Sequence, residues 1–374
     1  MKFIFTCGGT AGHITPALAV AGRLKELMPD SEFLFLGAEG KMEMDLVPRE
    51  GYDIKPLKIT NLSRGKSFQA LSHNIATLKN VVVSYRQAKA IIRDFQPDAV
   101  IGTGGYVCYP VLKAASQLHI PTAVHESNAV PGLTTKMLAK LVDRIMVGFE
   151  ESRQYYPQPE KVIVTGTPVR GQFAAYTKAQ AKRELGLAED EKLVVSVWGS
   201  LGAGHMNGIM TELIPLLDGT HGFHLLHGAG KMYYPGVCEK LAETAPDLAA
   251  RKVDLREYIF DMPRVMAAAD LVLCRAGAST ISELTYMAKP VIMVPSPNVT
   301  NHHQERNARV LEKAGGAVVL TEPGLSADTL KKTVLDLIHD RARLEEMERC
   351  MRACAVSDAT ERITDVVLDL AGKA

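Results

Sequence analysis

The sequence predicts an α/β protein made of two doubly wound, Rossmann-like domains. Three observations predict it. The chain has 374 residues, too many for one ordinary hydrophobic core. Short apolar runs alternate with longer amphipathic segments, the pattern of parallel sheet with crossover helices. Each half also opens on an apolar run followed by a glycine turn and a helical segment.

Composition narrows the class. The chain is 47% hydrophobic and 23% charged, a globular balance. Formal net charge is +1, so global charge gives no nucleic-acid signal and no such partner is expected. The six cysteines (Cys7, Cys108, Cys238, Cys274, Cys350 and Cys354) contain no CxxC pair, so neither a disulfide framework nor a zinc site is expected. A reducing cytoplasm fits that usage. No apolar run approaches the ~18 residues of a membrane span, and no leader pattern follows Met1-Lys2. Any membrane contact is therefore expected to be peripheral.

Strands are expected at 3–6, 33–36, 54–57, 99–101, 122–124, 144–147 and 162–164. After the first comes Gly8-Gly9-Thr10-Ala11-Gly12-His13, then a helix. Glycines admit a ligand close to backbone N–H groups, and a helix N-terminus favours negative charge. Thr10 and His13 add a hydroxyl and an imidazole at a strand's carboxyl end, where open α/β sheets hold ligands. The competing reading is a packing turn with an incidental histidine.

Residues 64–93 read as an amphipathic helix. Phe68, Leu71, Ile75, Leu78, Val82 and Tyr85 recur at spacings of three or four, with Lys66, Lys79, Arg86, Lys89 and Arg93 around them. One reading is a helix packed on its own sheet with solvated cations. The other is a basic, apolar face for anionic lipid headgroups, extended by residues 133–140. Two more polar loops follow strands, Gly102-Thr103-Gly104-Gly105-Tyr106 and His125-Glu126-Ser127-Asn128. Three such loops in one domain predict a ligand cleft.

The domain boundary is expected near 165–170. A helix is expected at 178–191 and a new first strand at 193–198, followed by Gly199-Ser200-Leu201-Gly202-Ala203-Gly204. Further strands are expected at 223–226, 271–274, 291–294 and 317–320, giving two domains that face each other across a cleft. Arg275-Ala276-Gly277-Ala278-Ser279-Thr280-Ile281-Ser282-Glu283 follows a strand and opens a helix. Its N–H groups suit a phosphate, and Glu283 suits the hydroxyls of a ribose. The competing reading is a helix capped by Ser279 or Thr280, with Glu283 completing the cap. Neither GxxxxGK[ST] nor GxGxxG occurs at these turns. His302 and His303 suggest a metal, but helix neighbours point apart and HExxH is absent, so no metal site is expected. Gln304 and Asn307 share a helix face. The tail at 325–374 reads as amphipathic helix.

In one order over essentially the whole chain, the motifs at 8–13, 102–106, 125–128, 166–170, 199–203, 275–283 and 301–308 resemble the MurG family. That family transfers N-acetylglucosamine from UDP-N-acetylglucosamine to the lipid-linked muramyl-pentapeptide of peptidoglycan synthesis. The resemblance implies the GT-B fold. It assigns 1–167 to an acceptor- and membrane-facing domain, 168–350 to a UDP-sugar-binding domain, and 351–374 to a C-terminal helix able to pack back on the first domain. It implies inverting, metal-independent transfer without a cofactor. The acceptor would be the C4 hydroxyl of undecaprenyl-diphospho-N-acetylmuramoyl-pentapeptide, converting lipid I to lipid II.

The resemblance also implies roles. His13 matches the candidate base. Thr10, Ala11, Gly12 and Asn128 match positions around the donor sugar, and Gly9, Gly104, Gly105 and Tyr106 the acceptor's diphosphate. Arg170 and Ser200 match donor-binding positions, and Ile259 the residue whose backbone meets the uracil. Ala278, Ser279 and Thr280 match the diphosphate segment, Glu283 the ribose contact, and Gln304 and Asn307 the sugar pocket. Phe68, Leu71, Ile75, Leu78, Lys79, Val82, Tyr85 and Arg86 would meet the anionic cytoplasmic face of the bacterial membrane, where the enzyme would be peripheral. The chain departs from the family pattern at Ala11, Ser127, Trp198, Leu201 and Ser279. Three other readings stay open: a non-hydrolysing UDP-N-acetylglucosamine epimerase, a transferase with another lipid acceptor such as diacylglycerol, and a sugar-nucleotide-binding, membrane-docking subunit without its own catalysis.

Overall fold

The computed structural model describes residues 1–60, 68–199, 202–299 and 302–372, apart from the side chains of 68–76, 78 and 79. By its contacts the chain forms two compact units. Unit 1 holds Met1–Arg170 with Val356–Ala374, and unit 2 holds Gly171–Ala355.

Unit 1 has strands β1 (Lys2–Thr6), β2 (Glu32–Ala38), β3 (Asp53–Leu57), β4 (Ala99–Gly102), β5 (Thr122–Glu126), β6 (Arg144–Val147) and β7 (Val162–Val164). All pair in parallel, in the order β3-β2-β1-β4-β5-β6-β7. Its helices are α1 (Ala11–Leu27), α2 (Glu43–Arg49), α3 (Phe68–Phe95), α4 (Cys108–Gln117) and α5 (Leu133–Leu138). Successive strand residues feed opposite faces of the sheet. Ile4, Leu34, Val100, Val124 and Ile145 meet α3, α4 and α5 on one face. Phe3, Phe5, Phe35, Ile101 and Met146 meet α1 on the other. With both faces covered, the central strands are buried throughout, which is why they read as unbroken apolar runs.

Unit 2 repeats the scheme. It has α6 (Lys178–Glu184), β8 (Leu193–Val197), α7 (Gly204–Leu213), β9 (His224–Gly228), α8 (Tyr234–Thr244), β10 (Val253–Arg256), α9 (Met262–Ala268), β11 (Leu271–Cys274), α10 (Ala278–Tyr286), β12 (Val291–Met293), α11 (His303–Lys313), β13 (Ala317–Val319), α12 (Ala327–His339) and α13 (Arg341–Ala353). The parallel order is β10-β9-β8-β11-β12-β13. The last helix, α14 (Ala359–Ala371), belongs to unit 1, where Ile363, Val367 and Leu370 complete the core against Ile14, Ala17 and Val20 of α1.

Two expectations change and a third is refined. β10 has no counterpart among the expected strands: Asp254 and Arg256 interrupt its apolar run, because an edge strand pairs on one side only. The helix expected at 178–191 ends at Glu184, before Gly186. The tail is three helices, with Asp340 capping α13 by accepting from Arg343 N at 2.9 Å.

Candidate functional site

In each sheet the strand order reverses once, between β1 and β4 in unit 1 and between β8 and β11 in unit 2. The carboxyl ends of strands at such switch points are where open α/β sheets bind ligands. The glycine turns at 7–10 and 103–107 follow β1 and β4; residues 198–199 follow β8, 202–203 precede α7, and the turn at 275–277 follows β11. Topology therefore gathers the motifs of each unit at one sheet edge.

In unit 1 the two turns touch. Gly105 has φ +90°, and a Cβ there would overlap the Gly8 carbonyl; Gly104 has φ +121°, and a Cβ would overlap the His13 ring. Only glycine allows both approaches. His13 lies in the first turn of α1. Its Nδ1 lies 3.0 Å from the Gly8 carbonyl oxygen. A carbonyl only accepts, so Nδ1 carries a proton, and in the neutral ring Nε2 then holds the lone pair. Thr103 Oγ1 donates to the His13 carbonyl at 2.7 Å, fixing the backbone as well. Nε2 has no hydrogen-bond partner among the described residues, so it is available to a substrate proton.

Thr10 and Ala11 are exposed at the start of α1, whose first amides have no partner within the helix. Gly9 is exposed in the same turn. Its N–H is turned inward and donates to Glu43 Oε2 at 3.1 Å. Tyr106 lies beside Gly9, and its hydroxyl is buried without a hydrogen-bond partner among the described residues. Burial, and then Glu43, push that phenol's pKa up.

The third loop is organised by a residue without an assigned role in the sequence reading. Glu126 is buried and accepts from Asn128 N (3.1 Å), Asn128 Nδ2 (2.9 Å), Gly132 N (2.9 Å) and Thr135 Oγ1 (2.8 Å). It thereby holds Asn128 at the sheet edge; the available signal was a carboxyl two residues before an asparagine at a strand end. His125 is fully enclosed, and its Nε2–H donates to the Gly166 carbonyl at 2.8 Å. Burial holds its pKa below the usual imidazole range. Arg170 ends unit 1.

In unit 2, α10 starts at Ala278 with Gly277 as its N-cap, and no side chain caps it. The expected alternative of a Ser279 or Thr280 cap is not what forms. Ser279, Thr280 and Glu283 are partly exposed, so the end of this helix presents amides and hydroxyls. Arg275 forms a buried ion pair with Glu322 and donates to the Val294 carbonyl at 2.9 Å. That ties the turn before α10 to the ends of β12 and β13. Asn307 departs from its expected place in a sugar pocket. It is fully buried and donates to the Ala276 carbonyl at 3.2 Å, so it supports the turn from behind. Gln304 is partly exposed and accepts from Ser296 N at 2.9 Å. Ile259 packs its side chain on Gly228 and leaves its backbone at the end of β10. Ser200 and Leu201 lie outside the described residues. Trp198 joins the core of unit 2. Beneath the turns, His227 contacts Ser196 Oγ at 3.0 Å and Asn207 Oδ1 at 3.1 Å, and burial pushes its pKa down to about 4.

The expected lipid face divides. On α3, Thr77, Ser84, Ala88 and Ile92 point inward, whereas Val82 is 51% exposed and Arg86 is exposed. Tyr85 instead packs toward α4 and bonds Gln117. The side chains of Phe68, Leu71, Ile75, Leu78 and Lys79 lie outside the described residues. On and after α5, Leu133 (60%), Met137 (47%) and Leu141 are exposed beside Lys136 and Lys140. Among the described residues no helix is long and apolar enough to cross a membrane, and no three His, Cys, Asp or Glu side chains form a metal-holding group. A cavity of about 220 Å3 lies elsewhere in unit 2, near Leu187, Leu193, His224 and Lys252, and none of the expected site residues lines it.

Known proteins match this arrangement. The glycosyltransferase family 28 N-terminal domain matches residues 3–147 and the family 28 C-terminal domain residues 193–363. A UDP-N-acetylglucosamine–N-acetylmuramyl-(pentapeptide) pyrophosphoryl-undecaprenol N-acetylglucosamine transferase from Acetivibrio thermocellus is 43% identical over 99% of this chain and 98% of its own. MurG from Acinetobacter baumannii superposes with a TM-score of 0.79 at 25% identity, over 98% of this chain and 99% of that one. A UDP-N-acetylglucosamine 2-epimerase from Neisseria meningitidis, bound to UDP-N-acetylglucosamine, shares the fold at a TM-score of 0.64 and 17% identity, over 99% of this chain and 100% of that one. The last likeness is one of fold alone. The identity and coverage of the first relative decide between those two directions, and this chain belongs to glycosyltransferase family 28, within the MurG family of N-acetylglucosaminyltransferases.

Proposed function

We propose that this protein transfers N-acetylglucosamine from UDP-N-acetylglucosamine to the C4 hydroxyl of undecaprenyl-diphospho-N-acetylmuramoyl-pentapeptide, making lipid II from lipid I. The observation that carries the reading is His13. It is held through Nδ1 and by its backbone at a switch point, with Nε2 directed to no protein group among the described residues. In this reading Nε2 takes the proton of the attacking hydroxyl. The hydroxyl displaces UDP in line at C1 and inverts that carbon. Ala278, Ser279 and Thr280 at the start of α10 hold the diphosphate as its charge grows, and Glu283 holds the ribose. Ile259 meets the uracil through its backbone. Gly104, Gly105 and Tyr106 take the acceptor's diphosphate, with Thr10, Ala11, Gly12, Asn128, Arg170, Ser200 and Gln304 around the donor. Asn307 acts through the turn it supports. The reaction needs no metal.

The acceptor sits in a lipid leaflet. Leu133, Met137 and Val82, with Lys136, Lys140 and Arg86, supply an apolar and basic surface on the α3–α5 side of unit 1. We read it as a peripheral contact with the anionic cytoplasmic face of the membrane.

The test is transfer of radiolabelled N-acetylglucosamine to a short-chain lipid-linked muramyl-pentapeptide in excess EDTA. Labelled lipid product is expected. UDP-sugar binding without product would move the assignment to an epimerase or to a partner-dependent subunit.

A further inference from the structure

Glu43, at the start of α2, stands outside every motif that the sequence singles out. Its side chain is fully buried. A buried carboxyl is costly unless both oxygens are satisfied. Here both are. Oε1 accepts from Ala38 N at 2.9 Å, at the end of β2. Oε2 accepts from Gly9 N at 3.1 Å, in the turn after β1. Two glycines make room for it: a Cβ on Gly8 would overlap Oε1, and a Cβ on Gly37 would lie 2.6 Å from Cγ.

The Gly9 N–H and the Gly8 C=O are two ends of one peptide group. That carbonyl accepts from His13 Nδ1 at 3.0 Å. Glu43, the peptide group and His13 therefore form a continuous relay. A carboxyl drawing on the N–H end polarises the C=O end and strengthens its hold on the imidazole. The arrangement resembles the carboxylate that orients a catalytic histidine, with one peptide group inserted between the two.

We propose that Glu43 is a positioning residue for His13, acting across the peptide group that joins Gly8 to Gly9. The inference rests on the reading of His13 as general base. Glu43 touches no substrate. It fixes the plane of the peptide, the peptide fixes the imidazole tautomer and direction, and Nε2 is thereby aimed outward.

The experiment compares wild type, Glu43→Gln and Gly37→Ala as full chains. In Glu43→Gln the amide keeps its shape but has one acceptor oxygen, so its NH2 opposes one of the two backbone N–H groups. Gly37 lies outside the left-handed region, so an added methyl there pushes hardest on Glu43, and less closely on Ile54 Cδ1, with no atom of the turn among its nearest neighbours. For Glu43→Gln we expect kcat to fall about tenfold or more, with the donor KM within about twofold of wild type. The acid limb of the kcat/KM profile should move to lower pH by roughly a few tenths of a unit, since the base loses polarisation. Gly37→Ala should show the same pattern more weakly, and it decides the matter if Glu43→Gln does not fold. A lower melting temperature in both variants, with kcat and the acid limb unchanged, would overturn the inference and leave Glu43 as a support of the fold. An inactive wild type would instead overturn the functional reading, so the two failures are distinct.

Discussion

In unit 1 the switch point between β1 and β4 is occupied by a titratable side chain, His13, backed by the buried carboxyl of Glu43. In unit 2 the equivalent point between β8 and β11 faces the start of α10, with small uncharged side chains at 278–280. There the buried groups, His227 with Asn207 and Arg275 with Glu322, lie behind the turns. The same topology thus makes two different sites. In the proposed reading, one moves a proton and the other holds an anion with backbone amides. The fold supplies the place, and a few side chains select the chemistry.

That contrast is open to direct attack. The largest expected effect is on proton transfer. His13→Ala should lower kcat about 10^3-fold, with UDP binding by calorimetry within about threefold of wild type. Turnover within about threefold of wild type would remove the base from unit 1 and the contrast with it.

The next effect concerns the buried imidazole of unit 2. His227 titrates near 6.5 when unfolded and near 4 when folded. Between those values the unfolded chain binds the extra proton, so its contribution is complete above about pH 6.5 and lost as pH falls toward 4. The loss is roughly 3 kcal/mol. Urea unfolding followed from pH 7 to 4.5 should show this slope, and His227→Gln should flatten it. An equal slope in both proteins would mean that other groups carry the acid sensitivity.

Third, Glu283→Ala should raise the donor KM about tenfold and change kcat by less than about threefold, the inverse of the His13 pattern. A fall in kcat with an unchanged donor KM would mean that the two sites do not divide the work in this way. The smallest effect is expected at the surface. Leu133→Glu should weaken binding to vesicles containing anionic lipid by about threefold, and raising salt should weaken it in both proteins. Sedimentation indifferent to both changes would dissociate this patch from lipid.

Much of the architecture was legible because periodicity is local. The apolar runs of β1, β4 and β5 and the amphipathic pattern of the tail are properties of consecutive residues. β10 was missed because an edge strand buries only part of its surface. Which side of α3 packs inward was not legible for a related reason. Which side of a helix faces inward depends on its partner, and here small residues, Ser84 and Ala88, let α3 approach the sheet while Val82 is left outside. In the site, the glycine turns were legible from composition, but the inward direction of the Gly9 amide was not. Nor was the retreat of Asn307 behind its turn.

The sequence by itself determined the class, the two-part repeat and the residue types available to the chemistry, since strand, turn and helix preferences act over a few neighbouring residues. The tertiary structure alone decided which groups meet. Glu43 reaches Gly9 across 34 positions, Thr103 reaches His13 across 90, and α14 returns to the core of unit 1 from the far end of the chain. Such contacts arise only when packing closes long loops, and no local pattern encodes their partners.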